Sequence, residues 1–149
     1  TQLTALGNVL VGRTYGRNPA LNMKQAKEEV AEILNFVGLG NKIEVLAHQL
    51  TMTDRKRLEL ARALAARPQL LLLDELMAGL NPAETDIAME LVKKIRNSGV
   101  TVIMVEHIMK AVLGVSDRVM VLSAGEKIAE GPPQEVIRDQ RVIEAYLGK

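Results

Sequence analysis

Apolar residues fall into two patterns along this chain: stretches where they recur at helical spacing, and short unbroken runs suited to strands packed on both faces. After Asn22, the residues Met23, Ala26, Val30, Ile33, Leu34 and Val37 follow the helical pattern, and Gly38 and Gly40 supply a stop. A second amphipathic helix is predicted after Thr51, with Leu58, Ala61, Leu64 and Ala65 on one face and Arg55, Lys56, Arg62 and Arg67 on the other. Pro68 ends it. Leu70, Leu71, Leu72 and Leu73 then run without alternation into Asp74 and Glu75, which reads as a buried strand delivering two carboxylates. Asn81-Pro82-Ala83-Glu84 joins an N-cap residue, a proline at the first helical position and a carboxylate at the third. A helix therefore starts there, with Ile87, Leu91 and Ile95 as its apolar ridge and Asn97-Ser98-Gly99 as its close. Val100 to Val105 is another run suited to a buried strand, so strand, helix and strand predict a right-handed parallel crossover.

The remainder reads as a helix from about His107 to Leu113, a strand from Arg118 to Leu122, a turn at Ala124-Gly125 and a strand from Lys127 to Ala129. Two short helices follow, one after Pro132 and one near Val142. At the other end, Leu3 to Val11 is too short to classify, and Gly12 to Pro19 is dense in turn residues and predicts a loop. The fold class is α/β, with no internal repeat.

Composition narrows the chemistry. The chain has 149 residues, enough for one sizeable core, and its 48% hydrophobic and 25% charged content is that of an ordinary globular protein. A net charge of +1, no long basic run and 2% aromatic residues argue against nucleic acid as a partner. The absence of cysteine excludes disulfides, cysteine zinc sites and thiol catalysis, and allows an intracellular location. No apolar run approaches the roughly 18 residues that cross a bilayer, and no basic segment followed by an apolar one opens the chain, so any membrane role is peripheral. Thr1 in place of methionine fits a removed initiator or a piece of something longer.

Three groups of residues carry candidate chemistry. Asp74 and Glu75 stand at the carboxyl end of a strand, where ligands gather in open parallel sheets. Adjacent carboxylates suit a division of labour, one holding magnesium while the next orients or deprotonates a water. Taken alone, the pair reads first as a strand with a polar exit. Thr51-Met52-Thr53-Asp54 fits a capping pattern whose open helix terminus attracts anions, though many such boxes bind nothing. His107 follows the second buried strand at the level of Glu75, where an imidazole could meet a transferring phosphate, whereas His48 reads as a loop residue. Gly7 to Thr14 nearly spells a phosphate loop, with Arg13 in the lysine position. Six preceding residues leave little room for the required strand, the interior is bulky and apolar, and arginine does not replace that lysine conservatively. It reads as a helix end and turn.

Leu50 to Leu64 followed by the strand and Asp74-Glu75 resembles the nucleotide-binding subunit of an ABC transporter. In this resemblance Thr51, Met52, Thr53 and Asp54 occupy the signature loop, Asp74 and Glu75 the Walker B pair, Ala78, Gly79, Leu80 and Asn81 the D-loop, and His107 the switch histidine. Asp74 to Glu84, Val105 to Val112, Gly125 to Gly131 and Arg141 to Gly148 are similar above all to the branched-chain amino acid importers. There are departures: the family usually has Leu-Ser-Gly-Gly-Gln in the signature loop, where Met52 and Thr53 replace both glycines and Asp54 the glutamine, and Leu76 stands where proline usually follows. Asp54 would repel a γ-phosphate unless it turns back to cap the helix. No phosphate loop or Q-loop is found, and Leu3 to Val9 resembles sequence shortly after the Q-loop, so the chain looks like a carboxyl-terminal half.

The resemblance implies a partial RecA-like ATPase domain, residues 1–67 mostly helical subdomain with the signature helix and residues 68–149 the carboxyl-terminal part of the core. It implies ATP and magnesium as cofactors, with Glu75 activating water, Asp74 positioning the metal and His107 contacting the γ-phosphate. The signature loop would face a second subunit's nucleotide in a head-to-tail dimer. That dimer would drive a transmembrane permease from the cytoplasmic face of the inner membrane. Other implied systems are lipid or lipopolysaccharide export, or a non-catalytic half-domain interaction protein. The isolated chain is expected to bind ATP weakly, to be inactive and to expose an apolar strand edge at Leu70 to Leu73.

Overall fold

The computed structural model describes residues 2–16 and 18–147. A helical layer comes first: α1 (Ala5–Tyr15), α2 (Met23–Phe36) and α3 (Met52–Ala65), with 3-10 turns at Gly40–Lys42 and Ala47–Gln49 between the last two. The unclassified first segment is helical, and α1 continues through Gly12 to Tyr15 where a loop is predicted. Its start is fixed by a local cap and by tertiary contacts that a local pattern does not reveal. The Thr4 hydroxyl accepts from the Gly7 N–H at 3.1 Å, while the amides of Ala5 and Leu6 donate to the carbonyls of Val45 and Ile43 at 2.8 and 2.9 Å. Gly12 serves packing rather than a turn: a Cβ there would lie 2.9 Å from the Arg62 carbonyl oxygen and 3.3 Å from the Ala65 Cβ.

That close crossing of α1 on α3 makes a paired test. Gly12→Val is expected to lower stability by about 1–3 kcal/mol through overpacking. Gly7→Ala, whose new Cβ meets nothing nearer than 3.5 Å, is expected to be neutral or to gain a few tenths of a kcal/mol to about 1 kcal/mol. Urea unfolding of both variants reads the difference, and equal midpoints would remove the crossing as the reason for Gly12.

The predicted ends of α2 hold. Asn22 accepts from the Gln25 N–H at 2.9 Å, and Gly38 adopts φ +81° while the Leu39 N–H reaches back to the Leu34 carbonyl at 2.7 Å. In α3 the inward residues are Leu58, Leu60, Ala61 and Ala65, joined by Asp54.

The second layer contains β1 (Leu70–Asp74), α4 (Pro82–Asn97), β2 (Thr101–Val105) and α5 (Met109–Val115). β1 and β2 pair in parallel with Leu72 opposite Ile103 and Asp74 opposite Val105, as the strand–helix–strand order predicts. Met89, Leu91, Val92 and Ile95 of α4 join Leu71 and Leu73 in the main core, but Ile87, expected on the ridge, is exposed. β1 also departs from expectation because it is not covered on both faces. Leu71 and Leu73 are buried, whereas Leu72 is 68% exposed and, across the pairing, Val105 is 61% exposed. Four leucines in a row announce a two-faced strand. Among the described residues only one face is packed.

β3 (Val119–Ser123) and β4 (Glu126–Gly131) form an antiparallel hairpin around Ala124 and Gly125, at φ 49° and 85°. Two consecutive positive φ values match the twist of the hairpin's strands. The short helices α6 (Pro133–Val136) and α7 (Gln140–Leu147) pack on it around Ala129, Val136 and Val142.

Candidate active site

The parallel pairing brings the ends of β1 and β2 side by side, and with them Glu75 and His107. His107 Nδ1 lies 3.5 Å from Glu75 Oε1, both side chains more than half exposed. His107 stands in the loop before α5, which begins at Met109 and not at His107. Asp74 is also exposed at the strand end, and its carboxylate has no hydrogen bond or ion pair among the described residues. Glu75 adopts φ 46°, in the left-handed region that favours glycine. Its N–H donates to the Val105 carbonyl at 2.9 Å and its own carbonyl accepts from Ala78 N–H at 3.1 Å, so the turn closes on itself before Leu80 N–H bonds to Met77 O at 3.2 Å.

Thr51 caps α3 as its pattern predicts, its hydroxyl oxygen accepting from the Asp54 N–H at 3.2 Å. The reciprocal half of the box is absent among the described residues. The Asp54 carboxylate instead accepts from the Thr51 hydroxyl at 2.8 Å and from Lys42 Nζ, with Arg57 at 3.7 Å. Burial pushes the Asp54 carboxyl up, but the bonds from Lys42 and Thr51 and the charges of Lys42 and Arg57 outweigh this and hold it below its ordinary value. The repulsion expected from Asp54 is thus answered by two cations rather than by capping.

Two contacts join this segment to the first turn of α4 and to the loop between β1 and α4. Thr53 donates its hydroxyl to Glu84 Oε1 at 2.7 Å, and Met52 Cε lies 3.5 Å from where a Cβ on Gly79, at φ 76°, would stand. Asn81 and Glu84 complete a capping box at α4, with both bonds at 3.0 Å. The hydrogen bond from Asn81, then that from Thr53, holds the Glu84 carboxyl below its ordinary value.

Three residues without an assigned sequence role attach to the site. Lys56 Nζ donates to the carbonyls of Leu76 and Glu75 at 2.8 and 3.2 Å. Glu106 Oε1 accepts from the Met77 N–H at 2.8 Å, and its Oε2 is buried with no partner among the described residues. The Tyr146 hydroxyl donates to the His107 carbonyl at 3.2 Å. Only Glu106 carried a signal, its place next to His107; Lys56 is one cation on a cationic helix face. His48 lies in the 3-10 turn Ala47–Gln49, and the near phosphate loop at Gly7 to Thr14 is part of α1.

A family profile described as ABC transporter matches residues 2–78, half of the chain, and one described as branched-chain amino acid ATP-binding cassette transporter matches residues 126–149. The chain belongs to the ABC transporter family. Relatives of this ABC transporter chain include the high-affinity branched-chain amino acid transport ATP-binding protein LivG of Salmonella typhimurium, 39% identical over 89% of this chain and 53% of LivG. BraF of Pseudomonas aeruginosa, of the same description, is 37% identical over 99% of this chain and 63% of BraF. The lipopolysaccharide export system ATP-binding protein LptB of Haemophilus influenzae is 33% identical over 87% and 54%. An ATP-binding cassette of an ABC transporter, solved in its ADP conformation, superposes with a TM-score of 0.84 at 27% identity, covering 99% of this chain and 64% of that one. The ABC transporter chain spans about half the length of LivG and LptB. Among its described residues no helix is long and apolar enough to cross a membrane.

Proposed function

We propose that the chain is part of an ATP-hydrolysing subunit that powers import of branched-chain or other hydrophobic amino acids through a membrane permease. The observation that carries this is the approach of His107 to Glu75 at the ends of two parallel strands, in a chain whose relatives LivG and BraF are named for branched-chain amino acid transport. Glu75 takes a proton from the attacking water, His107 contacts the γ-phosphate, and Thr51, Met52 and Thr53 meet the nucleotide of a second, head-to-tail subunit. Ala78, Gly79, Leu80 and Asn81 form the D-loop beside that interface. Residues 1–67 belong mostly to a helical subdomain and residues 68–149 to the ATPase core.

The donor set fits magnesium ATP. No group of three or more His, Asp or Glu among the described residues is placed to cage an ion, but magnesium keeps its waters and needs only one or two carboxylates besides phosphate. Asp74, exposed and unpaired among the described residues, is that carboxylate. When bound, the metal offsets the charge that develops on the phosphate oxygens.

The subunit associates peripherally with a permease at the cytoplasmic face of the inner membrane. Its exposed sheet face, with Leu72 and Val105, supports a larger domain of which this chain is the carboxyl-terminal portion without the phosphate loop and Q-loop. The relation to LptB favours lipopolysaccharide export as the second reading, at lower identity.

Reconstitution of the full-length subunit with its permease in proteoliposomes tests the function. Hydrolysis is expected to rise with a leucine-loaded binding protein; stimulation by lipopolysaccharide alone would favour export, and no hydrolysis would refute both. The isolated 149-residue chain is expected to bind ATP more weakly than submillimolar in equilibrium dialysis. A submillimolar constant would contradict its assignment as an inactive portion.

A further inference from the structure

We propose that Lys56 is a positioning residue for Glu75, tying the aim of that carboxylate to the helix that begins at the signature segment. The role rests on the water-activating function proposed for Glu75. The Glu75 side chain is 58% exposed and its carboxylate pairs with His107 alone among the described residues, so its direction is set more by its own backbone than by packing. That backbone sits at φ 46°, a conformation a glutamate holds only when its surroundings over-determine it.

The surroundings do so through four groups. β2 accepts the Glu75 N–H through Val105, the turn itself supplies the Ala78 N–H, and Glu106 accepts the Met77 N–H. Lys56 is the tether from the helical layer, its ammonium shared between the Leu76 carbonyl at 2.8 Å and the Glu75 carbonyl at 3.2 Å. Bonds from a charged donor are the stronger kind; the one to the Glu75 carbonyl acts on a peptide unit that fixes the Glu75 Cα–Cβ direction, and the one to the Leu76 carbonyl holds the next unit of the turn. Lys56 stands one turn from Thr53, which bonds Glu84 beyond the same loop. A shift of α3 therefore pulls the Glu75 turn with it. The signature segment and the carboxylate move as one piece.

The test uses the full-length subunit with Lys56→Met, Lys56→Gln, Lys56→Arg and, as reference, Glu75→Gln. Lys56→Met is expected to lower kcat for ATP hydrolysis by about tenfold to 100-fold, the scale of a misaimed catalytic group, with KM for ATP changed less than about twofold. Lys56→Arg, which keeps charged donors, is expected to recover most of the rate. A merely structural lysine would lower the melting temperature while the folded fraction kept the wild-type kcat; that result overturns the proposal. If Lys56→Met folds too poorly to assay, Lys56→Gln against Lys56→Arg makes the same comparison, and equal kcat values in that pair also overturn it. The two levels separate cleanly. Loss of hydrolysis in Glu75→Gln beside unchanged kcat in Lys56→Met refutes the positioning role alone, whereas full activity in Glu75→Gln removes the role of Glu75 and the positioning with it.

Discussion

Replacing Glu75 with glutamine in the full-length subunit is expected to cut ATP hydrolysis by about 10² to 10⁴, the usual contribution of a positioned general base, while ATP binding persists. Glutamine keeps the shape of glutamate and retains an oxygen to face His107, so the local geometry at 3.5 Å is preserved. What it loses is the capacity to take a proton from water. Because the Glu75 side chain is 58% exposed and outside the core, the change should leave folding intact, and the loss belongs to the chemical step. Steady-state hydrolysis measured beside nucleotide binding separates the two. A variant that hydrolyses ATP within tenfold of wild type would assign water activation elsewhere, with Asp74, Glu106 and His107 the other ionisable groups at the strand ends.

How far the sequence discloses this site depends on how local each signal is. The Asn81-Glu84 box and the Asn22 cap are written in four residues each and form as written. The pairing of Glu75 with His107 follows from two runs of aliphatic residues that can only be strands and an intervening helix that makes them parallel. Signals fail where a residue type answers to a distant neighbour. Gly12 looks like a turn but is small because α3 crosses there, and Lys56 looks like solvent-facing charge but reaches carbonyls nineteen and twenty positions away. Asp54 looks like the second half of a capping box until Lys42, from the 3-10 turn Gly40–Lys42, claims its carboxylate. The leucines of β1 disclose the environment the strand is built for, which is wider than the one face this chain packs.

Arg13 shows the same limit with a larger energy attached, and Glu29→Leu is expected to destabilise the chain by about 3–5 kcal/mol. Arg13 is 2% exposed in the near phosphate loop, and its guanidinium donates to Glu29 and to the Asn18 carbonyl. Glu29 also accepts from Gln25 at 2.9 Å and pairs with Arg67 at 3.1 Å. Removing the carboxylate leaves a guanidinium out of water with one carbonyl for company, and that uncompensated charge is the cost. The loss is a large share of the roughly 5–15 kcal/mol that holds a domain together. Acid provides an independent reading. The hydrogen bond from Arg13 holds the Glu29 carboxyl below its ordinary value, outweighing the upward push of burial, with Gln25 and the charges of Arg13 and Arg67 adding to it. A depressed folded-state value means that the contribution is present above the unfolded-state value and disappears as pH falls through the folded one. Wild type should therefore lose stability across that range by an amount Glu29→Leu lacks. The double variant Arg13→Met with Glu29→Leu decides the cause, since it removes the stranded charge while keeping a long apolar side chain. It should be more stable than Glu29→Leu alone in urea unfolding. If it is less stable, the pair holds α1 to α2 by packing, and charge is not what fixes Arg13 in place.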